Sequence, residues 1–346
     1  MSIVLRRPTI KRQEMASVLN TLVSDNIYAG ELSSKLSRTV AHYLEKKDGV
    51  SLPDYYSAIS LAFDILGLQS GDRVIIGALS SRIYLEVMEE RGIEGIIVDV
   101  DTHTGLPREA ELEEKLMEGG DGENCKAVVI DYGYCPSSSI KKGLLEGVSV
   151  IEDISHVLGS ETGGTKLGSD GDIAILHTDV SGNITTGEGA IVSVKDGRLV
   201  REMRRILKAN MKYSLMSDLN AALGLSQLKN YEDQIELRED ICEKFLKKLS
   251  ATRHGTPICD NSGHAVCSSF PIVIADGLGE VERFVKKYKI ETELAYSDSI
   301  VAREPRLRDS MENAWGLFLR TMLFPLYPML TVKEVELLER VISSLP

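Results

Sequence analysis

The chain has 346 residues, 43% hydrophobic and 27% charged, the balance of an ordinary globular protein, which excludes disordered, collagen-like and membrane-embedded classes. Its formal charge of −12 leaves no concentrated basic surface of the kind nucleic-acid phosphates require. No apolar run reaches the roughly 20 residues that cross a bilayer, the first residues carry no long apolar leader core, and a cytoplasmic location is expected.

Residues 13–24 and 32–45 read as two helices around the loop 25–30, with Leu36, Val40, Ala41 and Leu44 at helical spacing. Lys46-Lys47-Asp48-Gly49 ends the second helix. Strand-like runs then recur at 74–76, 95–100, 127–131, 148–154, 173–176 and 190–194, and helical segments at 57–66, 81–91, 109–118 and 140–146 separate the first four. Continuous apolar strands between helices predict an α/β fold with a buried, mostly parallel sheet. In such sheets ligands sit outside the carboxyl ends of the strands.

A helical stretch over 217–250, broken near Asn230, leads to strands at 270–274 and 290–294 and helices at 279–288, 311–320 and 332–344. This predicts a large domain over 1–235 and a small C-terminal α+β domain over 236–346. The basic run Arg201 to Lys212 reads as a solvated helix face, with contact to an anionic ligand as the alternative. Five cysteines, at 125, 135, 242, 259 and 267, form no disulfide framework, as in a reducing compartment. His254, Cys259, His264 and Cys267 follow none of the usual paired zinc spacings, so no metal site is expected.

The stretch from Val150-Ile151-Glu152-Asp153 through Gly168-Ser169-Asp170-Gly171-Asp172 to Asn183-Ile184-Thr185-Thr186-Gly187-Glu188-Gly189 resembles the active-site half of the DegT/DnrJ/StrS family of pyridoxal-phosphate (PLP) sugar aminotransferases. The runs Leu66 to Ile75, Ala221 to Leu228 and Leu323-Phe324-Pro325-Leu326-Tyr327-Pro328 are similar to further landmarks of that family. The resemblance implies a type I PLP-transferase large domain, a small C-terminal domain and a homodimer, or a heterodimer with an active relative.

Carried over residue by residue, the resemblance puts Asp153 where an aspartate pairs with the cofactor's pyridine nitrogen, and His156 near its phenolic oxygen; the alternatives are a cap on the loop that follows for Asp153 and a histidine bonded within the scaffold for His156. The residue preceding the Asn-Ile-Thr-Thr-Gly-Glu-Gly run is a lysine in the family, the Schiff-base former and proton shuttle; here it is Gly182, which can do neither. Asp54-Tyr55-Tyr56 stands at the helix start that cradles the phosphate, His177 at a phosphate-binding serine, Ser81 at the stacking aromatic and Tyr213 at an asparagine lent by the second subunit. Gly168, Gly171, Gly187 and Gly189 are read as turn formers, and Glu188 as a structural hydrogen-bonding residue.

Two readings follow. One is a non-transaminating homologue without catalytic residues, kept as a scaffold, sensor or partner subunit that binds a protein or a sugar-like molecule. The other is an enzyme on nucleotide-linked sugars holding PLP or pyridoxamine phosphate (PMP) non-covalently through Asp153, His156, His177, Tyr55, Tyr56 and Ser81. Asp54, Tyr55, Tyr56, Asp153, His156, His177 and Asp179 form a further acid–base constellation for a new activity, or polar filling of a disused pocket.

Overall fold

The computed structural model describes residues 2–24, 26–118, 125–136, 140, 142–209, 212–257 and 264–346. Two helices, α1 (Arg12–Val23) and α2 (Glu31–Tyr43), lead into the edge strand β1 (Asp48–Leu52) and the helix α3 (Tyr55–Leu66). The α/β alternation follows as β2 (Arg73–Gly77), α4 (Arg82–Arg91), β3 (Glu94–Val98), α5 (Glu109–Met117), β4 (Cys125–Asp131) and β5 (Ser149–Asp153). A small hairpin, β6 (Glu161–Thr162) and β7 (Thr165–Lys166), precedes β8 (Ile173–His177), β9 (Ala190–Val194) and α6 (Gly197–Ala209).

The large sheet has the order β1-β9-β8-β5-β4-β2-β3. Strands β8, β5, β4, β2 and β3 run parallel, and β9 is antiparallel to both β8 and β1. The chain winds outward from β2 to β3 and then returns to place β4 on the other side of β2, so a crevice opens beyond the carboxyl ends of β2 and β4. Helix α3 is apolar nearly all round, with Ala58, Ile59, Leu61, Ala62 and Phe63 fully buried in one core with the strands. A second core lies on the opposite face, where Leu36 and Val40 of α2 meet Ile75, Val128 and Leu176.

Beyond α7 (Asp218–Leu228), the helix α8 (Tyr231–Leu249) bridges two cores: Tyr231 and Ile235 pack in the large one, Ile241, Phe245 and Leu249 in the small one. The small unit continues as β10 (Phe270–Val273), α9 (Leu278–Lys287), β11 (Glu293–Leu294), α10 (Ile300–Arg303), α11 (Glu312–Arg320), β12 (Thr321–Phe324) and α12 (Val332–Ser343). Its sheet order is β10-β12-β11, and Ile3 from the N-terminus bridges to Ile290 and packs in the same core.

The expected parallel sheet and the break near Asn230 are both present. The expected helix over 140–146 falls partly outside the described residues, and Lys142–Leu145 forms a 3₁₀ turn. Strand β1 carries too little apolar pattern to be read in advance, because its extended shape is set by its ladder to β9. Of the four turn-forming glycines, Gly168, Gly187 and Gly189 have positive φ, but Gly171 does not; a Cβ there would meet Glu152 and the Val150 carbonyl at 3.0 Å.

Candidate functional site

The crevice holds a cavity of about 620 Å³ lined from four strand ends and from the small unit. Asp153 closes β5 at its floor and is 1% exposed. Its Oδ1 accepts from the Ser155 amide at 3.0 Å and hydroxyl at 2.5 Å, so it does cap the loop that follows. Its Oδ2 accepts from Tyr84 Oη at 2.7 Å and from Tyr55 Oη. All four contacts come from the protein itself, and burial and then the Asp153 charge push both phenols well above their ordinary range.

Tyr55 reaches Asp153 because it opens α3, whose first turn points into the crevice. Its ring stacks on His177 with centroids 4.7 Å apart and planes 13° from parallel, and meets Tyr84 edge-on at 6.0 Å. Asp54, the N-cap of the same helix, accepts from the Ser57 amide at 2.7 Å and hydroxyl at 2.8 Å. The Ser57 amide of that helix start is therefore already taken by an internal carboxylate.

Tyr56 is not part of the cavity; it packs half-buried against the core, because neighbouring helix positions lie about 100° apart. Its expected place beside Tyr55 is corrected accordingly. Ser81 lies in the wall, but as the N-cap of α4: its Oγ accepts from the Ile83 amide, and its own amide donates to Asp131 at 3.1 Å.

His156 stacks on Tyr134 with centroids 4.5 Å apart, and its Nδ1 meets Ser268 Oγ at 3.1 Å. Burial pushes its imidazole down to about 4, so it is neutral at physiological pH. Asp179 lines the same wall; burial raises it, but His177 and the Ser181 hydroxyl and amide outweigh that and hold it below the usual carboxylate range. Tyr213 lies outside the cavity, its hydroxyl on Asp64 and 3.2 Å from both Ser60 Oγ and Arg91.

Gly182 sits in the turn after β8, where a Cβ would come within 3.2 Å of the His177 and Ile184 carbonyls and 3.4 Å of the Ser155 carbonyl. The run after it is spent on the scaffold: Asn183 donates to Leu158 O at 3.1 Å, Thr178 and Thr186 hydroxyls meet at 2.8 Å, and Thr185 exchanges two bonds with Gln227. Glu188 is exposed, and the hydrogen bonds there reach its main-chain carbonyl.

Sequence reasoning missed Asp131, which ends β4 in direct register with Asp153 on the adjacent parallel strand. Its carboxylate accepts from the Gly133 amide at 2.9 Å and the Ser81 amide, and burial together with the Asp153 charge pushes it up to about 7. A strand-end aspartate beside another was a readable signal; Tyr84, Tyr134 and Arg6, which also shape the site, carried none.

Of the four residues once considered for a metal, Cys259 lies outside the described residues. The other three turn to separate partners: His254 to the Ala275 amide, His264 to Glu239, Cys267 to Tyr134 O. Among the described residues no group of three or more histidine, cysteine or acidic side chains could hold a metal ion, and no helix is long and apolar enough to cross a membrane.

The description of the DegT/DnrJ/EryC1/StrS aminotransferase family matches residues 8–345. The chain belongs to this family. Among its curated relatives, an uncharacterized protein of Methanocaldococcus jannaschii is 27% identical over 69% of this chain and 67% of its own length. The UDP-4-amino-4-deoxy-L-arabinose–oxoglutarate aminotransferase of Shewanella sediminis is 23% identical over 99% of this chain and 97% of its own. Two solved structures share the fold. GDP-4-keto-6-deoxy-D-mannose-3-dehydratase of E. coli, with bound hydrated PLP, has a TM-score of 0.86 at 17% identity, covering 99% of both chains. Helicobacter pylori PseC, an aminotransferase of pseudoaminic acid biosynthesis, has 0.85 at 18%, covering 99% of this chain and 98% of its own. The DegT-family chain is thus a sugar-aminotransferase-like protein by descent and by fold.

Proposed function

We propose that this DegT-family protein is a non-transaminating member, a scaffold or partner subunit whose cofactor place is filled by its own side chains. The observation that carries this reading is Tyr55, hydrogen-bonded to Asp153 and stacked on His177 where a cofactor ring would have to lie against that carboxylate. Two further contacts support it. Asp54 already uses the helix start that would take a phosphate, and a second anion there would meet its charge. The turn at Gly182 is closed around three backbone carbonyls, so a lysine side chain needs the turn to give by a few tenths of an ångström. The residues present do not fit PLP held in the family manner, and no catalytic step is assigned through it.

The test is a titration of the natural protein and Gly182→Lys with PLP and PMP, read by absorbance and calorimetry. Neither protein is expected to bind either compound, because Tyr55 and Asp54 remain in both. Saturable binding of PMP to the natural protein would instead support the alternative, an enzyme on nucleotide-linked sugars that holds its cofactor non-covalently. That alternative draws on the position of Asp153 and His156 in one cavity wall.

A homodimer is part of the same proposal. Helix α1 exposes Met15, Leu19, Leu22 and Val23, and Tyr28 follows at 81% exposure, an apolar stripe that a second subunit would cover. Light scattering should give the mass of two chains, and Leu19→Glu should shift it toward one; a single-chain mass for the natural protein contradicts the proposal.

A further inference from the structure

Helix α6 runs against the chain's formal charge of −12. Residues Gly197–Ala209 hold five bases against the single acid Glu202. Leu199, Val200, Met203 and Ile206 anchor one side of the helix in the core shared with α3, and Arg198, Arg201, Arg204, Arg205 and Lys208 are exposed on the other. At 3.6 residues per turn these five fall within an arc of about 120° and form a row about 15 Å long. Two have acidic neighbours, Arg204 with Asp48 at 2.6 Å and Arg205 with Glu202 at 2.5 Å. Arg198, Arg201 and Lys208 form no ion pair among the described residues.

The counterpart lies on α8. Residues 231–243 carry six acids, and the one base among them, Arg238, is buried. Glu232, Asp233, Glu236, Asp240 and Glu243 are exposed opposite the buried Ile235, Arg238, Ile241 and Phe245. They span an arc of about 100° and a row about 16 Å long. Asp240 pairs with Lys244 and the flanking Glu239 with His264, which leaves Glu232, Asp233, Glu236 and Glu243 without an ion pair among the described residues.

The two rows match in length and are opposite in sign, and they cannot meet within one chain. Helix α6 packs on one side of the large sheet with α3, whereas Tyr231 and Ile235 seat α8 on the other. One exposed ion pair contributes little, but two rows of the same length set several pairs side by side in one contact. At physiological ionic strength charges are screened beyond about 8 Å, so the repulsion between two acidic chains fades while opposed side chains in contact keep their attraction. The apolar side of α6 is buried in the core, which leaves nothing to insert into a bilayer. Every copy of the chain carries the acidic row at the same concentration as the basic one, which favours that row over an outside polyanion.

We propose that α6 of one molecule docks on α8 of a second copy, a salt-sensitive head-to-tail contact distinct from the apolar stripe of α1 and independent of what fills the cofactor place. Because the two surfaces differ, the contact is heterologous: each added molecule presents a free row to the next, and assembly goes past two chains.

Sedimentation velocity over concentrations from micromolar to sub-millimolar tests it. At about 50 mM salt the mean mass of the natural protein should climb with concentration past two chains, and at about 1 M salt, where screening reaches in to about 3 Å, it should stay at its dilute value. Arg198→Glu/Arg201→Glu/Lys208→Glu should hold the mass at the dilute value at low salt, and so should Glu232→Lys/Glu236→Lys/Glu243→Lys. Mixed in equal amounts, the two triple variants should associate again, since one then carries acidic rows and the other basic ones; that recovery also shows both to be folded. In Leu19→Glu the climb should start from one chain instead of two, so failure of the α1 dimer and failure of this contact read differently. A natural protein whose mass stays flat at low salt, a triple variant that still associates alone, or mixed variants that stay apart would each overturn the proposal. Binding of a DNA duplex or of poly-glutamate to α6 without self-association overturns it in favour of an outside polyanion.

Discussion

Replacing Tyr55 by alanine is expected to destabilise the protein by about 3–5 kcal/mol, the range for removing a buried aromatic ring from a packed site. The ring is 8% exposed, stacks on His177, meets Tyr84 edge-on and donates to Asp153, so the substitution loses packing and orphans an acceptor together. Tyr55→Phe keeps the ring and loses only the hydroxyl, and should cost about 1–2 kcal/mol. Urea unfolding of the two variants separates the contributions. The same residue decides the proposed function. In Asp54→Ser/Tyr55→Gly, with Gly182 unchanged, PMP binding should appear where the natural protein has none, since the helix start then carries no internal carboxylate and the Tyr55 ring no longer covers Asp153. If the double variant folds and still ignores PMP, Tyr55 and Asp54 are not the obstacle.

Asp153→Ala should cost about 2–5 kcal/mol, because it strands two buried tyrosine hydroxyls and the Ser155 amide without an acceptor. It should also change the pH dependence of stability through Asp131. Asp131 is raised from 3.8 to about 7, first by burial and then by the Asp153 charge. A carboxyl raised in the folded state contributes stability that is fully present below its unfolded value and is lost as pH rises through its folded one. Without the Asp153 charge the folded value falls and less is lost. The stability gap between the natural protein and Asp153→Ala should therefore narrow from pH 5 to pH 8 in denaturant titrations. A gap that widens, or stays constant, removes Asp153 as a cause of the Asp131 shift.

The family and its fold were legible because they rest on long, regular signals. Apolar strand runs alternating with helices, and landmarks such as Leu323 to Pro328, survive in any member that keeps the scaffold. Asp153 was legible too, as an acidic residue ending an apolar strand. Its contacts were not. Tyr55 and Tyr56 are equivalent in sequence, and only the phase of α3 sends one ring into the cavity and the other onto the core. Asp54 reads as a residue facing a phosphate, yet its shorter path is to the Ser57 amide of its own helix.

The sequence by itself determined the α/β architecture and the family, because regular local pattern and ordered landmarks along the chain carry them. Only the tertiary structure decided what occupies the site. The β4–β5 register sets Asp131 beside Asp153, and distant segments bring Tyr84, Tyr134 and Arg6 to the same crevice. Such neighbours are fixed by sheet order and helix phase, which no short stretch of chain encodes.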